Sequence, residues 1–261
     1  MLTLLQIEWM KIRRYKTFWL LVGLFMFLFL VWNYGAQRST LSLGGGPANV
    51  LSSSFGFPVV WDTLGFTLSW FVIFLCVFVI ISVSNEFTFR TQRQHIIDGM
   101  QRVDFLHAKA LLILSLSVGV TLFYLCASLL FGLLQGGDNP FDHATKAISV
   151  FTYTLNYLSF SALLAFVFRR AGISLTMLFA YFLLESIVSG IINAKFDTAY
   201  GNLLPLQCSD ELLPLPLLQR MGNIVGGIKP QLSDGVYGIT SGVYIGLYYL
   251  LLRRKMQNTD L

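Results

Sequence analysis

The sequence predicts an all-α polytopic membrane protein, with six transmembrane helices, an N-terminal interfacial helix and a short cytoplasmic surface helix between the second and third spans. Three observations carry this. Only 12% of the 261 residues are charged while 55% are apolar, against about 25% charged in ordinary soluble domains. Six apolar segments are each long enough to cross a hydrocarbon layer about 30 Å thick, which takes roughly 17 to 25 residues. The few cations are unevenly divided between the two sides that those segments define. A soluble protein with 23 Phe and so little charge would present a large apolar surface to water, so lipid is the main solvent. Three Cys exclude a disulfide scaffold, and the whole chain, 1–261, reads as one membrane domain.

Residues 1–16 form the first element. Leu2, Leu5, Trp9 and Ile12 fall on one stripe of a helix whose other faces carry Gln6, Lys11 and Arg14, the pattern of a helix lying flat at a membrane surface. The basic run Lys11 to Lys16 before an apolar segment resembles a secretory leader. The apolar run exceeds an h-region of about 7 to 15 residues and no A-x-A follows, so the segment is expected to remain as a span. The spans are expected at 18–34, 64–84, 108–134, 147–168, 173–193 and 236–252. In the last, Gly238, Gly242 and Gly246 share one face, which either admits a close helix or is simply thin.

Orientation follows from Lys and Arg. With both termini cytoplasmic, that side holds 13 cations, among them Lys11, Arg13, Arg14, Lys16, Arg169, Arg170, Arg253, Arg254 and Lys255. The other side holds five: Arg38, Lys146, Lys195, Arg220 and Lys229. The positive-inside rule therefore places both termini in the cytoplasm. The basic balance reflects topology and anionic headgroups; with no separate basic domain, nucleic acid is not an expected partner.

Three connecting segments are long. Residues 35–63 are rich in Gly, Ser and Asn and read as irregular. Their Leu41-Ser42-Leu43-Gly44-Gly45-Gly46 is no phosphate loop, because G-x-x-x-x-G-K-[ST] occurs nowhere in the chain. Residues 194–235 place apolar residues between prolines, as in Leu212-Leu213-Pro214-Leu215-Pro216. Proline prevents a continuous span there, so short helices dipping into the outer leaflet or packed over the other spans are expected. Cys208 in this loop is expected to be a free thiol unless another chain pairs with it, and Cys76 and Cys126 are expected to be small core residues.

The third segment, 85–107, is the most informative. Seven charged residues, Glu86, Arg90, Arg93, Asp98, Arg102, Asp104 and Lys109, crowd into 24 positions. Several of Phe89, Ile96, Ile97 and Met100 share a helix face, Gly99 suits a helix stop, and Asp104 suits the start of the next span. A short amphipathic helix at the cytoplasmic surface results, its apolar face available to lipid or to a soluble partner.

With these parts assembled, the chain resembles the membrane subunits of the ABC type-2 transporters over nearly its whole length. The most specific stretch is an acid closing span 2, then Arg90-Thr91-x-Arg93-Gln94-x-Ile96-Ile97-Asp98-Gly99, then Arg102 and Lys109. Two positions depart from the family pattern: Arg90 stands where Gly precedes Thr, and Gln101 where Pro precedes the basic residue. The resemblance implies a permease, an exporter by expectation, working with a second permease chain, lipid, and cytoplasmic ATPase subunits that hold ATP and Mg; the chain itself is expected to carry no cofactor, metal or catalytic residue. Segment 87–102 would be the coupling helix seated on the ATPase. Glu86, Arg90, Arg93 and Arg102 would orient it, and Phe89, Ile96, Ile97 and Met100 would supply its contact face.

Glu185, the one clear mid-membrane carboxylate, either lines a translocation route or a dimer seam together with Tyr181, or is protonated and hydrogen-bonded to Tyr181 one turn before it. Rival classes are weaker. No H-E-x-x-H or G-x-S-x-G supports an intramembrane hydrolase, and no inverted repeat supports a lone secondary carrier. A non-transport scaffold in an ABC assembly is the alternative that motifs do not exclude.

Overall fold

The computed structural model describes residues 2–38, 52–89, 102–136, 139–196, 198–214 and 232–258. In chain order the described helices are α1 (Leu2–Arg13), α2 (Lys16–Arg38), α3 (Val60–Thr88), α4 (Arg102–Gln135), α5 (Lys146–Phe168), α6 (Ala171–Phe196), the four-residue α7 (Gln207–Asp210) and α8 (Asp234–Asn258), with single 3-10 turns at Ser52–Phe55 and Tyr200–Leu203. Among the described residues there is no strand. Six of the helices, α2 to α6 and α8, are long and apolar enough to cross a membrane, so the all-α, six-span architecture holds. The glycine-rich stretch at 41–46 lies outside the described residues.

Between lipid-immersed helices the hydrophobic effect contributes little, so close packing and interhelical hydrogen bonds decide which helices go inside. The central pair is α3 and α5. On α5 small residues, Ser161, Ala162 and Ala165, are buried beside Tyr153, Tyr157 and Phe166; on α3 Trp61, Leu64, Leu68 and Val72 are almost fully enclosed. Polar side chains bridge neighbouring spans. Thr67 Oγ1 donates to Asn33 Oδ1 at 3.1 Å, Tyr124 OH to the Trp61 carbonyl at 2.6 Å, and Tyr153 OH to the Ser69 carbonyl at 3.2 Å. In contrast α6 turns Phe179, Leu183, Leu184, Ile187 and Ile191 outward.

Helices α5 and α6 are joined by Arg169 and Arg170 alone. Arg169 adopts a left-handed conformation, φ 55°, and its N–H bonds to the Ala165 carbonyl at 2.9 Å, closing α5. Its guanidinium lies 5.5 Å over the Phe87 ring at the end of α3. This end, where α3 stops and α4 starts, gathers most of the cations and is called the basic end below.

At the opposite end the chain folds back between spans. The turn at Tyr200–Leu203 and α7 sit against α5, α6 and α8, with Leu206, Cys208, Leu212 and Leu213 buried. Irregular backbone at membrane depth needs protein partners, and three spans supply them. Asn156 on α5 donates to the Pro205 carbonyl at 2.7 Å and to Ser209 Oγ at 2.6 Å. Tyr157 bonds Asp210, and Tyr244 on α8 donates to the Leu203 carbonyl at 3.1 Å. Ser241 on α8 meets Ser209 Oγ at 3.0 Å and Cys208 Sγ at 3.2 Å.

One expectation needs correction. Cys126 is exposed on the outer surface of α4, while Cys76 and Cys208 are buried free thiols: α4 is peripheral, and helical spacing puts position 126 on its lipid side. Of the two readings of the α8 glycines, the thin face fits the described residues, because a Cβ added at Gly238, Gly242 or Gly246 would meet none of their atoms within 4 Å. The glycines that serve close approach include Gly132, where a Cβ would collide with the Phe57 ring, and Gly201, where it would collide with the Ser189 backbone. Gly201→Ala should therefore lift the folded-back segment off α6 and lower thermal stability in detergent by about 1–3 kcal/mol, whereas Gly242→Ala, in open space, should leave the melting temperature within error.

Candidate coupling site

The basic end is organised by a buried lysine. Lys109 lies two turns into α4, with its side chain 2% exposed. An ammonium there requires anionic partners, since an unpaired buried charge costs several kcal/mol. Two helices provide them. Lys109 Nζ donates to Glu8 Oε2 of α1 at 2.7 Å and to Glu86 Oε1 of α3 at 2.8 Å. Lys11, one turn beyond Glu8, closes the group from the more exposed side, at 3.2 Å from Glu8 and 3.3 Å from Glu86. The Lys109 ammonium also lies 5.8 Å from the centre of the Phe105 ring.

This network adds a buried acid to the reading of α1. Of the expected stripe, Ile12 is buried and Trp9 is 53% exposed, as a helix lying along the membrane surface allows, and Glu8 also turns inward, 2% exposed. An acid on the buried face of a surface helix is tolerable only because Lys109 and Lys11 meet it. Burial pushes the Glu8 carboxyl up, but the two lysines outweigh that effect and hold it below its ordinary value of 4.5. The turn into α2 is fixed to the same place, with Asn85 Nδ2 donating to Tyr15 OH at 2.9 Å.

Of the coupling residues read from sequence, Glu86 and Phe89 are described. Glu86 is 9% exposed and serves the Lys109 network. Phe89 ends α3 with its ring 71% exposed. Arg90, Arg93, Ile96, Ile97 and Met100 lie outside the described residues, and Arg102 opens α4 with its side chain outside the described ones. Asp104 falls in the first turn of α4 rather than before it, 3.9 Å from His107 Nδ1. Sequence reasoning missed Glu8 entirely. The available signal was an acid at position 8 within an otherwise apolar and basic helix, three residues from Lys11.

Glu185 and Tyr181 lie on α6, away from this end. Glu185 is 6% exposed, and of its two readings from sequence the bond to Tyr181 is not formed. Its Oε1 instead accepts from the backbone N–H of Leu206 at 2.8 Å and of Gln207 at 3.3 Å, capping α7. Tyr181 packs its ring on Phe160, 4.6 Å between centres. Among the described residues no group of three or more His, Cys, Asp or Glu is arranged to hold a metal.

Removing one partner of an enclosed ion group leaves the others uncompensated. Lys109→Ala, which strands Glu8 against Glu86, should cost about 3–5 kcal/mol in thermal or denaturant unfolding. Lys109→Met with Glu8→Gln, which leaves Glu86 to Lys11, should recover part of that loss. Because the folded carboxyl of Glu8 titrates below 4.5, its contribution is complete above that value and disappears as pH falls through the lower folded value. The stability gap between wild type and Glu8→Gln should accordingly be constant near neutrality and close in acid; a gap that widened in acid would refute this assignment.

No curated protein matches the chain. The family described as ABC-2 family transporter protein does match, over residues 4–194, a span that contains Glu8, Lys11, Glu86 and Lys109 and runs from α1 almost to the end of α6. With six helices able to span a membrane and this match across most of its length, the chain belongs to the ABC-2 transporter family, as a multi-pass membrane permease subunit.

Proposed function

We propose that the chain couples ATP hydrolysis in separate cytoplasmic ATPase subunits to export of a substrate across the cytoplasmic membrane, as one of two permease chains. The observation that carries this is the Lys109 network. Residues 90–101 join the end of α3 to the start of α4, and Glu86 and Lys109 flank that connection and are bonded to each other and to α1. A push on the connecting segment is delivered to two spans and a surface helix together, because Lys109 is held by both carboxylates at once and parting it from α1 or from α3 breaks an enclosed ion contact. Segment 87–102 supplies the contact: Arg90, Arg93 and Arg102 orient it, Phe89, Ile96, Ile97 and Met100 fill the ATPase groove, and charged rim contacts chiefly set association rate. ATP and Mg belong to the partner, consistent with the lack of a phosphate-loop motif in this sequence.

Orientation follows the cations: the basic end, with both termini, faces the cytoplasm. Glu185 and Tyr181 sit beside the folded-back segment and belong to the outer end of the route, since parting α6 from α7 removes the carboxylate that caps it.

Arg93→Glu and Ile97→Asp should leave membrane insertion unchanged while reducing the ATP hydrolysis recovered with the affinity-purified permease by about tenfold or more, the effect of a charge placed in an interface core. Undiminished ATPase recovery with both variants would remove the coupling assignment. A reporter enzyme fused after Leu261 should be active only in the cytoplasm; activity on the far side would reverse the topology.

A further inference from the structure

A groove of about 400 Å³ runs between α4 and α8 with α5 as its floor. Its walls are almost wholly apolar, formed by Leu106, Leu114, Ala162, Phe166, Ile245 and Leu252. Gly246 borders it and leaves it wide, since a Cβ there would touch nothing within 4 Å. The eight-residue rise from Leu106 to Leu114 is about 12 Å of helix, close to the half-thickness of a hydrocarbon core. The groove therefore occupies one leaflet, the one at the basic end. Its polar lining includes Ser159 and Tyr248, and at the basic end His107 Nε2 and Tyr249 OH are 2.8 Å apart and their rings stack at 6.2 Å. Immediately beyond Leu252 come Arg253, Arg254 and Lys255, and α8 carries no acid after Asp234. Arg253 and Arg254 are exposed. Lys255 is turned to the Val167 carbonyl at 3.2 Å.

An apolar channel one leaflet deep, with the exposed Arg253 one turn beyond Tyr249 on the same face of α8, matches an anionic lipid. We propose that this groove is a binding site for an anionic phospholipid of the cytoplasmic leaflet, one acyl chain lying along α4 and α8 and the headgroup at Arg253. Guanidinium groups suit phosphate through paired N–H donors, and basic residues at a helix end draw anionic lipid to the surface. Lys109 also borders the groove, so the bound chain lies against the network proposed to carry coupling. The leaflet assignment rests on the orientation proposed above, which the reporter fusion tests separately.

The test uses the full-length chain in lipid nanodiscs containing phosphatidylglycerol or phosphatidylcholine with a photoreactive acyl chain, with adducts mapped by mass spectrometry. Phosphatidylglycerol adducts should concentrate on residues 106–114 and 245–252, on the order of fivefold above phosphatidylcholine, as one cation beside a net anionic headgroup provides. Gly246→Phe and, independently, Leu114→Trp should remove these adducts while those on the outward face of α6 persist. Arg253→Gln should retain chain adducts and abolish the headgroup preference, whereas Arg254→Gln, on the opposite side of α8, should leave that preference intact. Adducts spread evenly over the lipid-facing helices, equal labelling by both lipids in the wild type, or cross-links joining two protein copies through the groove would each overturn the proposal.

Discussion

An ammonium group enclosed by protein at the edge of a membrane must be met by carboxylates, and Lys109 imposes that condition on the whole basic end. Its partners come from α1 and α3, which sequence separates from it by 101 and 23 positions. Their approach fixes where the surface helix lies and how α3 ends. Buried ion groups of this kind contribute little net stability relative to apolar packing, because desolvation offsets most of the attraction. What they provide is register. A one-turn slip of α1 would carry Glu8 out of reach of Lys109 and leave that ammonium to Glu86 alone. The site is thus tolerant of movement as a unit and intolerant of movement of its parts, the property a mechanical link needs.

The other end meets the same absence of water by different means. The segment at 199–213 is irregular or only one turn long, so its backbone groups satisfy one another only within single turns, such as the Cys208 N–H to the Leu204 carbonyl at 3.0 Å, and others have to be met from outside the segment. Side chains on α5, α6 and α8 do so: Asn156, Glu185 and Tyr244 each bond its main chain. Apart from the Glu185 carboxylate, these are hydrogen bonds of neutral groups, individually weaker than the ion contacts at Lys109 and spread over three spans. Such a contact set can be undone piecewise. One end of the molecule is held by an enclosed ion group, the other by many modest hydrogen bonds, to which Lys146 adds more exposed ion contacts with Asp234 at 3.0 Å and Asp62 at 3.7 Å.

Much of this was legible in the sequence, for reasons that differ by element. Span number and class followed from segments such as 64–84 and 147–168, because the length of a membrane helix is set by lipid thickness rather than by the rest of the protein. Prolines at 205, 214 and 216 likewise made a continuous helix impossible in the last long loop. The Lys109 network was only half legible. Glu86 and Lys109 stood out by position at the ends of two spans, but Glu8 is linked to them by tertiary contact alone, which helical spacing does not report. Glu185 was legible as a costly group, but its partner was not: Tyr181 is near in sequence, while the Leu206 and Gln207 amides are brought in by the fold. Cys126 was misplaced because hydrophobicity does not distinguish the lipid side of a span from its protein side.

The formal charges of the Lys109 group, two lysines and two glutamates, sum to zero. Moving one unbalanced charge through a membrane potential involves about 2.3 kcal/mol per 100 mV, enough to make a conformational step strongly dependent on the energised state of the cell. A neutral quartet that shifts as one body does no such electrical work. The rearrangement of this group is thereby insulated from the transmembrane voltage, although the end around it carries Arg13, Arg14, Arg169 and Arg170.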